Sequence, residues 1–307
     1  MDRLEAMQML VTVTEQGSFS GAARALNVPL ATLSRKVSDL ESLLGARLLT
    51  RTTRKLTLTD AGIAYVASAR RILEQVEEAE REASGEFTQP KGELVLTAPI
   101  MFGRLHVLPV VAEFLSEFPE ISVRLHLGDR NVDLLDDHVD MAVRFGRLPD
   151  SSMVATAIGD MRTVTCANRA ILERYGIPER PDDLLDCPCV TVETPLPSPG
   201  WQYFVPGSDT ALEIPVVPRL TVTTTEAAAQ AAIQGVGITR LLHYQVADPV
   251  VRGELQIVLE AYEPEPVPVH LIHASRGRMP LKMRRFLDFA APRLRETLSR
   301  ISEARRE

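Results

Sequence analysis

The sequence predicts an α+β protein with a small helical N-terminal part, a long connecting helix and a larger C-terminal α/β part. Two observations support this division. Within the first 60 residues, two short amphipathic helical patterns precede a basic segment of alternating apolar and polar residues. Beyond residue 92, short β-rich runs alternate with helical ones, which is typical of α/β domains. A chain of 307 residues is long enough for both parts to have their own cores.

Composition narrows the class of protein. A hydrophobic fraction of 45% with 24% charged residues is ordinary for a globular domain, and neither a signal peptide nor a membrane-length apolar run is evident. We therefore expect a cytoplasmic protein with no membrane contact. The three cysteines, Cys166, Cys187 and Cys189, have neither the pattern of a secreted disulfide framework nor that of a zinc site. His270 and His273 are expected on opposite faces of a strand, and no metal or cofactor is predicted.

Two short helices joined by a tight turn at Asn27 occupy residues 18–44. Ser18 is placed to cap the first helix. In the second helix, apolar residues at spacings of four, three and four predict a buried stripe of Leu33, Val37, Leu40 and Leu44. Ser34, Arg35 and Ser38 then face outward, and such short hydroxyls and a guanidinium suit a helix that enters the DNA major groove. The alternative for the pair alone is a helical hairpin with a solvated face.

A basic hairpin follows the helix pair. Residues 47–58 alternate around a basic turn, which predicts a β-hairpin whose tip lies on the phosphate backbone. The run from Arg24 to Lys55 contains seven Arg or Lys against two acids, whereas the whole chain has a net charge of -7. A local basic footprint on an acidic protein indicates a nucleic-acid-binding module.

These residues resemble the winged helix-turn-helix of LysR-type transcriptional regulators. The matches, in order, are Gly-Ser-Phe-Ser at 17–20, the Ala pair at 22–23, Ser-Arg at 34–35, Leu-Glu at 40–41, Leu-Gly at 44–45, Arg51, and Leu-Thr-Asp-Ala-Gly at 58–62. With the outward face described above, the resemblance implies double-stranded operator DNA as a partner. The expected DNA-binding residues are Ser18, Leu30, Ala31, Thr32, Ser34, Arg35, Ser38, Arg51, Thr53, Arg54 and Lys55.

The start of the second helix departs from the family pattern. Pro29 and Leu30 stand where the family commonly has Ser and Gln. Pro29 suits the first helical position, because its missing amide would be unpaired there. Leu30 cannot make the bidentate adenine contact of a Gln, so we predict reading through thymine-methyl contact by Leu30, Ala31 or Thr32, through Arg35, and through DNA shape.

A long helix is predicted from Thr59, its N-cap, to a hinge at 85–92. Its apolar residues follow a heptad-like spacing and predict a dimerisation seam of Tyr65, Ala69, Ile72, Val76 and Ala79. The alternative is a helix that lies on its own domain. A two-fold dimer predicts an inverted-repeat operator with half-sites about one DNA turn apart. The resemblance extends this to a homotetramer that bends DNA.

The C-terminal pattern predicts strands near 94–98, 122–127 and 140–144, a helix near 105–118, and a second unit from 162–167 to 219–222, with largely parallel strands. The chain then returns through a strand at 267–273 and a final helix from 282. The resemblance implies two lobes, as in periplasmic binding proteins, around a small-molecule effector. The predicted divisions are 1–60, 61–90 and 91–307, with lobe I at 91–160 and 266–307 and lobe II at 161–265.

Candidate effector-binding residues lie where strands end and helices begin, because free amides point into a cleft there. They are Pro99, Ile100, Met101, Phe102, Arg144, Phe145, Thr224 and Thr225. Amides and hydroxyls in this set suit a carboxylate or carbonyl, Arg144 supplies a counter-charge, and the apolar members favour an aromatic or otherwise hydrophobic ligand. Each has a plainer role: Met101 and Phe102 in the core, Arg144 paired with Asp140, and the threonines as helix caps.

Together these features predict a regulator rather than an enzyme, because no catalytic triad, paired carboxylates or nucleophilic cysteine emerges from the spacing. The glycines at 235 and 237 lack the context of a nucleotide loop and suit a tight turn. RNA polymerase is a further partner that such a regulator implies. Two alternatives stay open. One is a two-lobed cytoplasmic binding protein or enzyme with a helical assembly domain. The other is a regulator that senses thiol oxidation at Cys166, Cys187 or Cys189.

Overall fold

The structure of the protein is a computed structural model. It describes residues 2–51, 56–84, 89–129, 134, 137–148, 153–193, 200–274 and 279–303, with the backbone alone at 51, 78, 79 and 81–84. The chain divides into two compact units, Met1–Gly92 and Glu93–Glu307.

The N-terminal unit contains α1 (Arg3–Glu15), α2 (Phe19–Ala25), α3 (Leu30–Leu44), β1 (Leu49–Arg51), β2 (Leu56–Leu58) and α4 (Asp60–Ser84). Side-chain caps begin its first two helices. Asp2 accepts hydrogen bonds from the amides of Leu4 and Glu5, and the Ser18 hydroxyl accepts one from Gly21, as predicted. Asn27, with a φ of 53°, makes the turn between α2 and α3. Short polar side chains therefore set the helix boundaries.

Helix α3 buries one stripe, but the stripe is shorter than predicted. Leu33, Val37 and Leu40 are at most 1% exposed, and burying each stabilises the unit by about 1.5–3 kcal/mol. Leu44 is 40% exposed, so the prediction that it is buried is wrong. The helix ends there because Gly45 is left-handed (φ 65°), and Leu48, 1% exposed, fills the core instead.

The start of α3 also differs from expectation. Pro29 is the residue before the helix rather than its first residue, with an extended ψ of 136°. Its carbonyl still accepts a hydrogen bond from the amide of Leu33, so it takes the N-cap position without a side-chain cap. Leu30 is therefore the first helical residue.

The hairpin and α4 complete this unit. Strands β1 and β2 pair antiparallel, with Leu49 opposite Leu58, as the alternating pattern predicts. The Thr59 hydroxyl accepts a hydrogen bond from the Gly62 amide at 2.9 Å, which confirms it as the cap of α4. A Cβ at Gly62 would overlap the Leu48 carbonyl, so only glycine permits this close approach of helix to strand.

The C-terminal unit has twelve further strands and six α-helices within the part of the chain that the structure describes. The strands are β3 (Gly92–Ala98), β4 (Ile121–Leu127), β5 (Met141–Phe145), β6 (Met153–Met161), β7 (Thr163–Ala167), β8 (Cys189–Val192), β9 (Trp201–Phe204), β10 (Ala211–Ile214), β11 (Pro218–Val222), β12 (Ile238–Leu242), β13 (Gln256–Val258) and β14 (Val267–Ala274). The helices are α5 (Ile100–Phe102), α6 (Leu108–Glu117), α7 (Arg169–Tyr175), α8 (Thr225–Ile233), α9 (Ala247–Val251) and α10 (Leu281–Glu303).

Two five-stranded sheets organise this unit into two lobes. The lobe I sheet has the order β4-β3-β5-β14-β6, and the lobe II sheet has the order β11-β8-β12-β7-β13. The prediction of largely parallel strands is wrong: β14 runs antiparallel to β5 and β6, and β7 runs antiparallel to β12 and β13. Strands β7 and β14 each follow a segment that passes from one lobe to the other. No crossover helix of the same sheet precedes them, so nothing requires them to run parallel to their neighbours.

The helix after β3 begins earlier than predicted, at Ile100 rather than near residue 105. α5, a single π turn over Gly103–Val107, and α6 form one continuous helical run to Glu117. Pro99 ends the strand, and its carbonyl accepts the Gly103 amide at 2.7 Å. The run positions Phe102, which is fully buried in the lobe I core with Phe114 and Phe286.

A buried ion pair joins the two segments through which the chain passes between lobes. Arg162 lies between β6 and β7, and Glu263 lies between β13 and β14. The guanidinium donates from Nε and Nη2 to the two Glu263 oxygens at 2.7 and 2.6 Å. Their side chains are 15% and 11% exposed, and a second carboxylate, that of Glu260, lies 3.6 Å from the same guanidinium. The pair therefore links the two crossover segments through charge-assisted hydrogen bonds.

Candidate DNA-binding surface and effector cleft

The outward face of α3 presents short polar side chains and one guanidinium. Arg35, Ser38 and Ala31 are exposed, and Leu30 is 49% exposed at the helix start. Thr32 and Ser34 are half-buried. This face lies opposite the buried stripe, so a rigid helix holds it outward, as major-groove reading requires.

A shallow depression of about 540 Å³ marks the turn between α2 and α3. It is lined by Ser20, Ala23, Arg24, Asn27, Val28, Pro29 and Leu30. Ser18 lies at the start of α2, half-buried, with its hydroxyl oxygen accepting the Gly21 amide at 3.1 Å. Its structural role is therefore that of a cap, and its O–H remains a donor for a phosphate oxygen.

The wing is only partly described. Thr53, Arg54 and Lys55 lie outside the described residues, and for Arg51 the structure gives the backbone, paired with Leu56. The hairpin base is held by Glu41, whose carboxylate accepts hydrogen bonds from the amides of Leu48 and Leu49 at 2.7 and 3.1 Å. The wing is thus tied directly to α3.

The first turns of α4 belong to the core of their own unit. Ala69 is 1% exposed within that core, so assigning it to a dimer seam is wrong, whereas Tyr65 is half-buried and packs against the same core. The spacing that suggests a seam arises here because α4 packs on α1. Further along, Ile72 is 38% exposed and Val76 is half-buried. The side chain of Ala79 lies outside the described part of the chain.

Aromatic rings meet between the two lobes of the C-terminal unit. Phe145, at the end of β5, stacks on Tyr244 of lobe II with centroids 5.6 Å apart. Phe102 meets both rings edge-on at 5.1 and 5.2 Å. These contacts make Tyr244 part of the lobe I core. The plainer role of Phe102 as a core residue therefore holds, and the lobes are joined by apolar packing.

His106 borders the same aromatic group from the π turn, with its ring 5.0 Å from that of Phe102. Burial lowers the pKa of His106 below its ordinary value, and the charge of Asp248 opposes this in part. Among the described residues, its Nε2 has no hydrogen-bond partner. The imidazole is therefore held neutral near pH 7, with one polar atom unused.

The Tyr244 hydroxyl is the polar end of this group. It accepts a hydrogen bond from the Gln245 side-chain amide at 3.2 Å. Burial raises the pKa of Tyr244 to about 12, and the negative charge of Asp129 adds to that rise. The phenol consequently stays protonated and retains a donor in the cleft.

The first amide of the helix after β3 is already bound within the chain. Ile100 N–H donates to the Asp129 carboxylate at 3.0 Å. Pro99 and Met101 flank this amide, both half-buried, and Ile100 is 40% exposed. The expected anion-binding position is therefore filled by an anion from the end of β4.

Arg144 is not brought into the aromatic group. Side chains alternate along β5, so Arg144 and Ala142 lie on one face, whereas Val143 and Phe145 lie on the other. The cross-strand partner of Arg144 is His270. Burial lowers the pKa of Arg144. Asp140, its predicted partner in the plainer role, accepts the Val95 amide at 2.8 Å.

Thr224 and Thr225 lie at the start of α8. The Thr224 hydroxyl oxygen accepts the Ala227 amide at 3.2 Å, so its plainer role as a cap holds. Thr225 is the first helical residue and is half-buried. Next to them, Glu226 accepts a hydrogen bond from Arg104 of lobe I at 2.7 Å. This exposed ion pair links the lobes at the cleft.

The cysteines lack the setting of reactive thiols. Burial raises the pKa of both Cys166 and Cys189 to about 12. Burial and the neighbouring carboxylates of Asp186 and Asp183 raise that of Cys187. Thiolate is the reactive form, so these sites are poorly suited to oxidation sensing.

Among the described residues, no three His, Cys, Asp or Glu side chains lie close enough together to hold a metal ion. No described helix has the length and apolarity needed to cross a membrane.

Sequence reasoning missed several residues at the lobe boundary, namely Arg104, His106, Asp129, Arg162, Tyr244 and Glu263. One signal was available for Asp129, which comes shortly after a strand end, where site residues in α/β folds concentrate. Tyr244 and the Arg162–Glu263 pair depend on contacts between distant segments, and local periodicity carries no sign of them.

Comparison with known proteins agrees with this architecture. Residues 4–63 match the family described as bacterial regulatory helix-turn-helix protein, lysR family, and residues 87–295 match the LysR substrate binding domain. An HTH-type transcriptional regulator of Xanthomonas campestris is 37% identical over 290 residues, covering 93% of this chain and 84% of that protein. The HTH-type transcriptional activator AaeR of Escherichia coli is 32% identical over 283 residues, covering 92% and 91%.

A solved structure is similar over the length of both units. CrgA, a LysR-type transcriptional regulator from Neisseria meningitidis, is 30% identical, with a TM-score of 0.60 and coverage of 94% of this chain and 98% of that one. Both units of the present chain are thus matched in sequence and in structure. The chain belongs to the LysR family of transcriptional regulators.

Proposed function

We propose that this regulator binds operator DNA through its N-terminal unit and that a small-molecule effector between lobes I and II modulates that binding. The observation that carries the first half is the exposed polar face of α3, held on a buried stripe within a helix-turn-helix module. Arg35 is the side chain best placed to donate to a guanine edge or a phosphate. Ser34, Ser38, Ala31, Thr32 and Leu30 supply hydroxyl and methyl contacts around it.

Base reading by this chain depends on apolar contact at the helix start. Leu30 is exposed at the first helical position, where it can meet a thymine methyl but cannot donate to adenine. Arg51, Thr53, Arg54 and Lys55 of the wing, with Ser18 at the start of α2, are proposed phosphate contacts. They position the module and give binding its salt dependence.

Dimerisation is proposed to use the part of α4 beyond its own core. Ile72 and Val76 are proposed to form the dimer seam, with Ala79 one heptad after Ile72. Two recognition helices related by a two-fold axis then read an inverted repeat. The proposed divisions are a DNA-binding domain to residue 60, a linker helix to residue 90, and an effector domain beyond it with lobes that exchange near 161 and 266.

The effector half of the proposal rests on the family match to a substrate binding domain and on the lobe boundary itself. Pro99 to Phe102, Phe145 and Thr225 surround that boundary together with Tyr244 and His106. An aromatic ligand suits these neighbours. The regulator would act in the cytoplasm, where its DNA and RNA polymerase are, and by binding rather than by catalysis.

The test is selection of genomic fragments by the full-length protein, followed by footprinting and a thermal-shift screen of small metabolites. We expect one enriched inverted repeat and at least one metabolite that both stabilises the protein and changes operator affinity. Leu30→Ala should change the preferred base at the helix start, with Leu43→Ala, an exposed residue near the other end of α3, as the matched control. Enrichment of no sequence would contradict operator recognition.

A further inference from the structure

The depression between α2 and α3 has an apolar floor and a polar rim. Ala23, which is 6% exposed, and the half-buried Val28 form the floor. The other lining residues are exposed around it, namely Ser20, Arg24, Asn27, Pro29 and Leu30. With a volume of about 540 Å³, the depression has room for a group that is partly apolar and partly polar.

The charge of the depression is positive. Among the described residues, its lining contains one cation, Arg24, and no carboxylate. The guanidinium donates from Nε to the Ser20 carbonyl at 3.4 Å, and it makes no other hydrogen bond or ion pair within the described part of the chain. By contrast, Lys36 on α3 is paired with Glu5. Because a guanidinium has several N–H donors in a planar fork, Arg24 retains most of its donors for an anion.

The depression is continuous with the exposed face of α3. Leu30 lines the depression and is also the exposed first residue of that helix. Ser20 and Arg24 lie across the turn, one turn apart on the same face of α2. A DNA strand whose base meets Leu30 in the major groove therefore carries its own backbone past the depression.

The rim and the floor match the two parts of that backbone. Arg, Ser and Asn side chains are common donors to phosphate oxygens in protein–DNA complexes. Ser20 supplies a hydroxyl, Asn27 an amide and Arg24 a charged fork. Ala23 and Val28 offer apolar surface to the carbon atoms of a deoxyribose.

We propose that the depression receives the sugar–phosphate backbone of the operator and that Arg24, together with Ser20 and Asn27, binds one of its phosphates. This inference rests on the proposed operator binding and adds a contact that α3 and the wing do not supply. Arg24 acts as a positioning residue: it fixes how the module lies on the duplex, whereas Leu30 meets the base.

The first test is the salt dependence of binding by the full-length protein to its selected operator and to unrelated DNA, measured by fluorescence anisotropy. Arg24→Ala should weaken both complexes at least about fivefold and make the plot of log affinity against log salt shallower by about 0.9. The preferred base opposite Leu30 should stay the same. Arg24→Lys should restore the slope but only part of the affinity, because lysine keeps the charge without the fork. Arg3→Ala, at an exposed arginine of α1 outside the depression, is the control and should match wild type.

A second variant separates binding from folding. Ser20→Glu places a carboxylate on the rim four residues before Arg24, a spacing that favours an ion pair on α2 and should not lower the melting temperature. It should nevertheless weaken operator binding at least about tenfold, because it repels the phosphate and engages Arg24. Ala25→Glu adds the same charge to an exposed position of the same helix outside the depression, and it should weaken binding much less.

An unchanged slope and affinity for Arg24→Ala would overturn the proposal, as would equal binding by Ser20→Glu and Ala25→Glu. If Arg24→Ala bound the operator normally but lost the transcriptional response, the depression would be a surface for a protein partner, and the proposal would again be wrong. A wild type that binds no DNA would refute operator recognition itself. A wild type with a steep slope that Arg24→Ala shares would refute the phosphate contact alone.

Discussion

The two units of this regulator place their functional residues in opposite ways. In the N-terminal unit, one helix supplies both faces: Leu33, Val37 and Leu40 fill the core while Arg35 faces out. In the C-terminal unit, the candidate site arises where lobes assembled from distant segments meet, with Phe102 and Tyr244 142 positions apart in the chain. A site on one helix can be read from spacing, whereas a site between lobes depends on how the sheets assemble.

The largest expected effect on the stability of the lobed unit concerns the crossover ion pair, which belongs to that unit alone. Glu263→Ala removes the bidentate partner of the Arg162 guanidinium and leaves Glu260, 3.6 Å away, as its remaining carboxylate. This should lower the free energy of unfolding by about 2 kcal/mol. Urea unfolding followed by fluorescence of Trp201, the single tryptophan, reports on this unit.

The matched control for that substitution is Glu265→Ala. Glu265 lies 3.7 Å from Arg147 with both side chains about nine-tenths exposed, so its loss should cost under about 1 kcal/mol. Equal effects of the two substitutions would show that the crossover pair has no special role.

In the linker helix α4, the core residue Ala69 and the proposed dimer residue Ile72 lie within a single turn. Ala69→Glu should unfold the N-terminal unit, because it buries an unpaired charge in a fully packed core. Ile72→Glu should leave the fold intact and shift sedimentation from dimer to monomer. A dimer that persists in Ile72→Glu at micromolar concentration would exclude this face of α4 as the interface.

Helix caps allow the two units to be compared on equal chemistry. Ser18→Ala and Thr224→Ala each remove one side-chain acceptor from a helix start, and each should reduce stability by about 1 kcal/mol. We expect Thr224→Ser to retain the stability that Thr224→Ala loses, because serine caps as well as threonine. Thr224→Ala with unchanged stability would reopen a purely ligand-binding role for that hydroxyl.

The smallest expected effect is a pH dependence confined to the lobed unit. Because burial lowers the pKa of His106 below the value in the unfolded chain, the unfolded state binds more protons as pH falls. Stability contributed by neutral His106 is therefore present above pH about 6.5 and is lost as pH falls toward the lowered pKa. Urea unfolding at pH 7.5 and 5.5 should show a smaller drop in His106→Gln than in wild type, and equal drops would contradict this assignment.

Much of the N-terminal unit was predictable from sequence because its signals are local. Caps at Ser18 and Thr59, the turn at Asn27 and the hairpin follow from residues a few positions apart. The prediction that Leu44 is buried was wrong because the left-handed Gly45 ends the helix there, and Leu48 fills the core instead. The prediction that Ala69 lies in a dimer seam was wrong because the same apolar spacing suits packing on α1 and packing on a partner helix. Spacing alone cannot distinguish the two.

The cleft was predictable only in outline. The rule that sites follow strand ends pointed to Phe102 and Phe145, which the structure brings together, and to Arg144, which strand alternation places on the other face of the sheet. Tyr244 and Asp129 become visible only when lobe II meets lobe I and β4 lies beside β3. The mixed strand directions were missed for the same reason, since pairing between strands far apart in the chain, such as β14 with β5, leaves no periodic trace in the sequence.

The most direct test of the regulator account is the salt dependence of operator binding by the full-length chain and by Arg35→Ala. Each neutralised phosphate contributes a slope of about -0.9 to the plot of log affinity against log salt. We predict a steep slope for wild type. For Arg35→Ala we predict at least about tenfold weaker binding, with a slope shallower by about one unit if Arg35 contacts phosphate and unchanged if it contacts a base edge. Arg169→Ala, an exposed arginine of lobe II, should match wild type. A near-zero slope for wild type, or unchanged binding by Arg35→Ala, would contradict DNA recognition through α3.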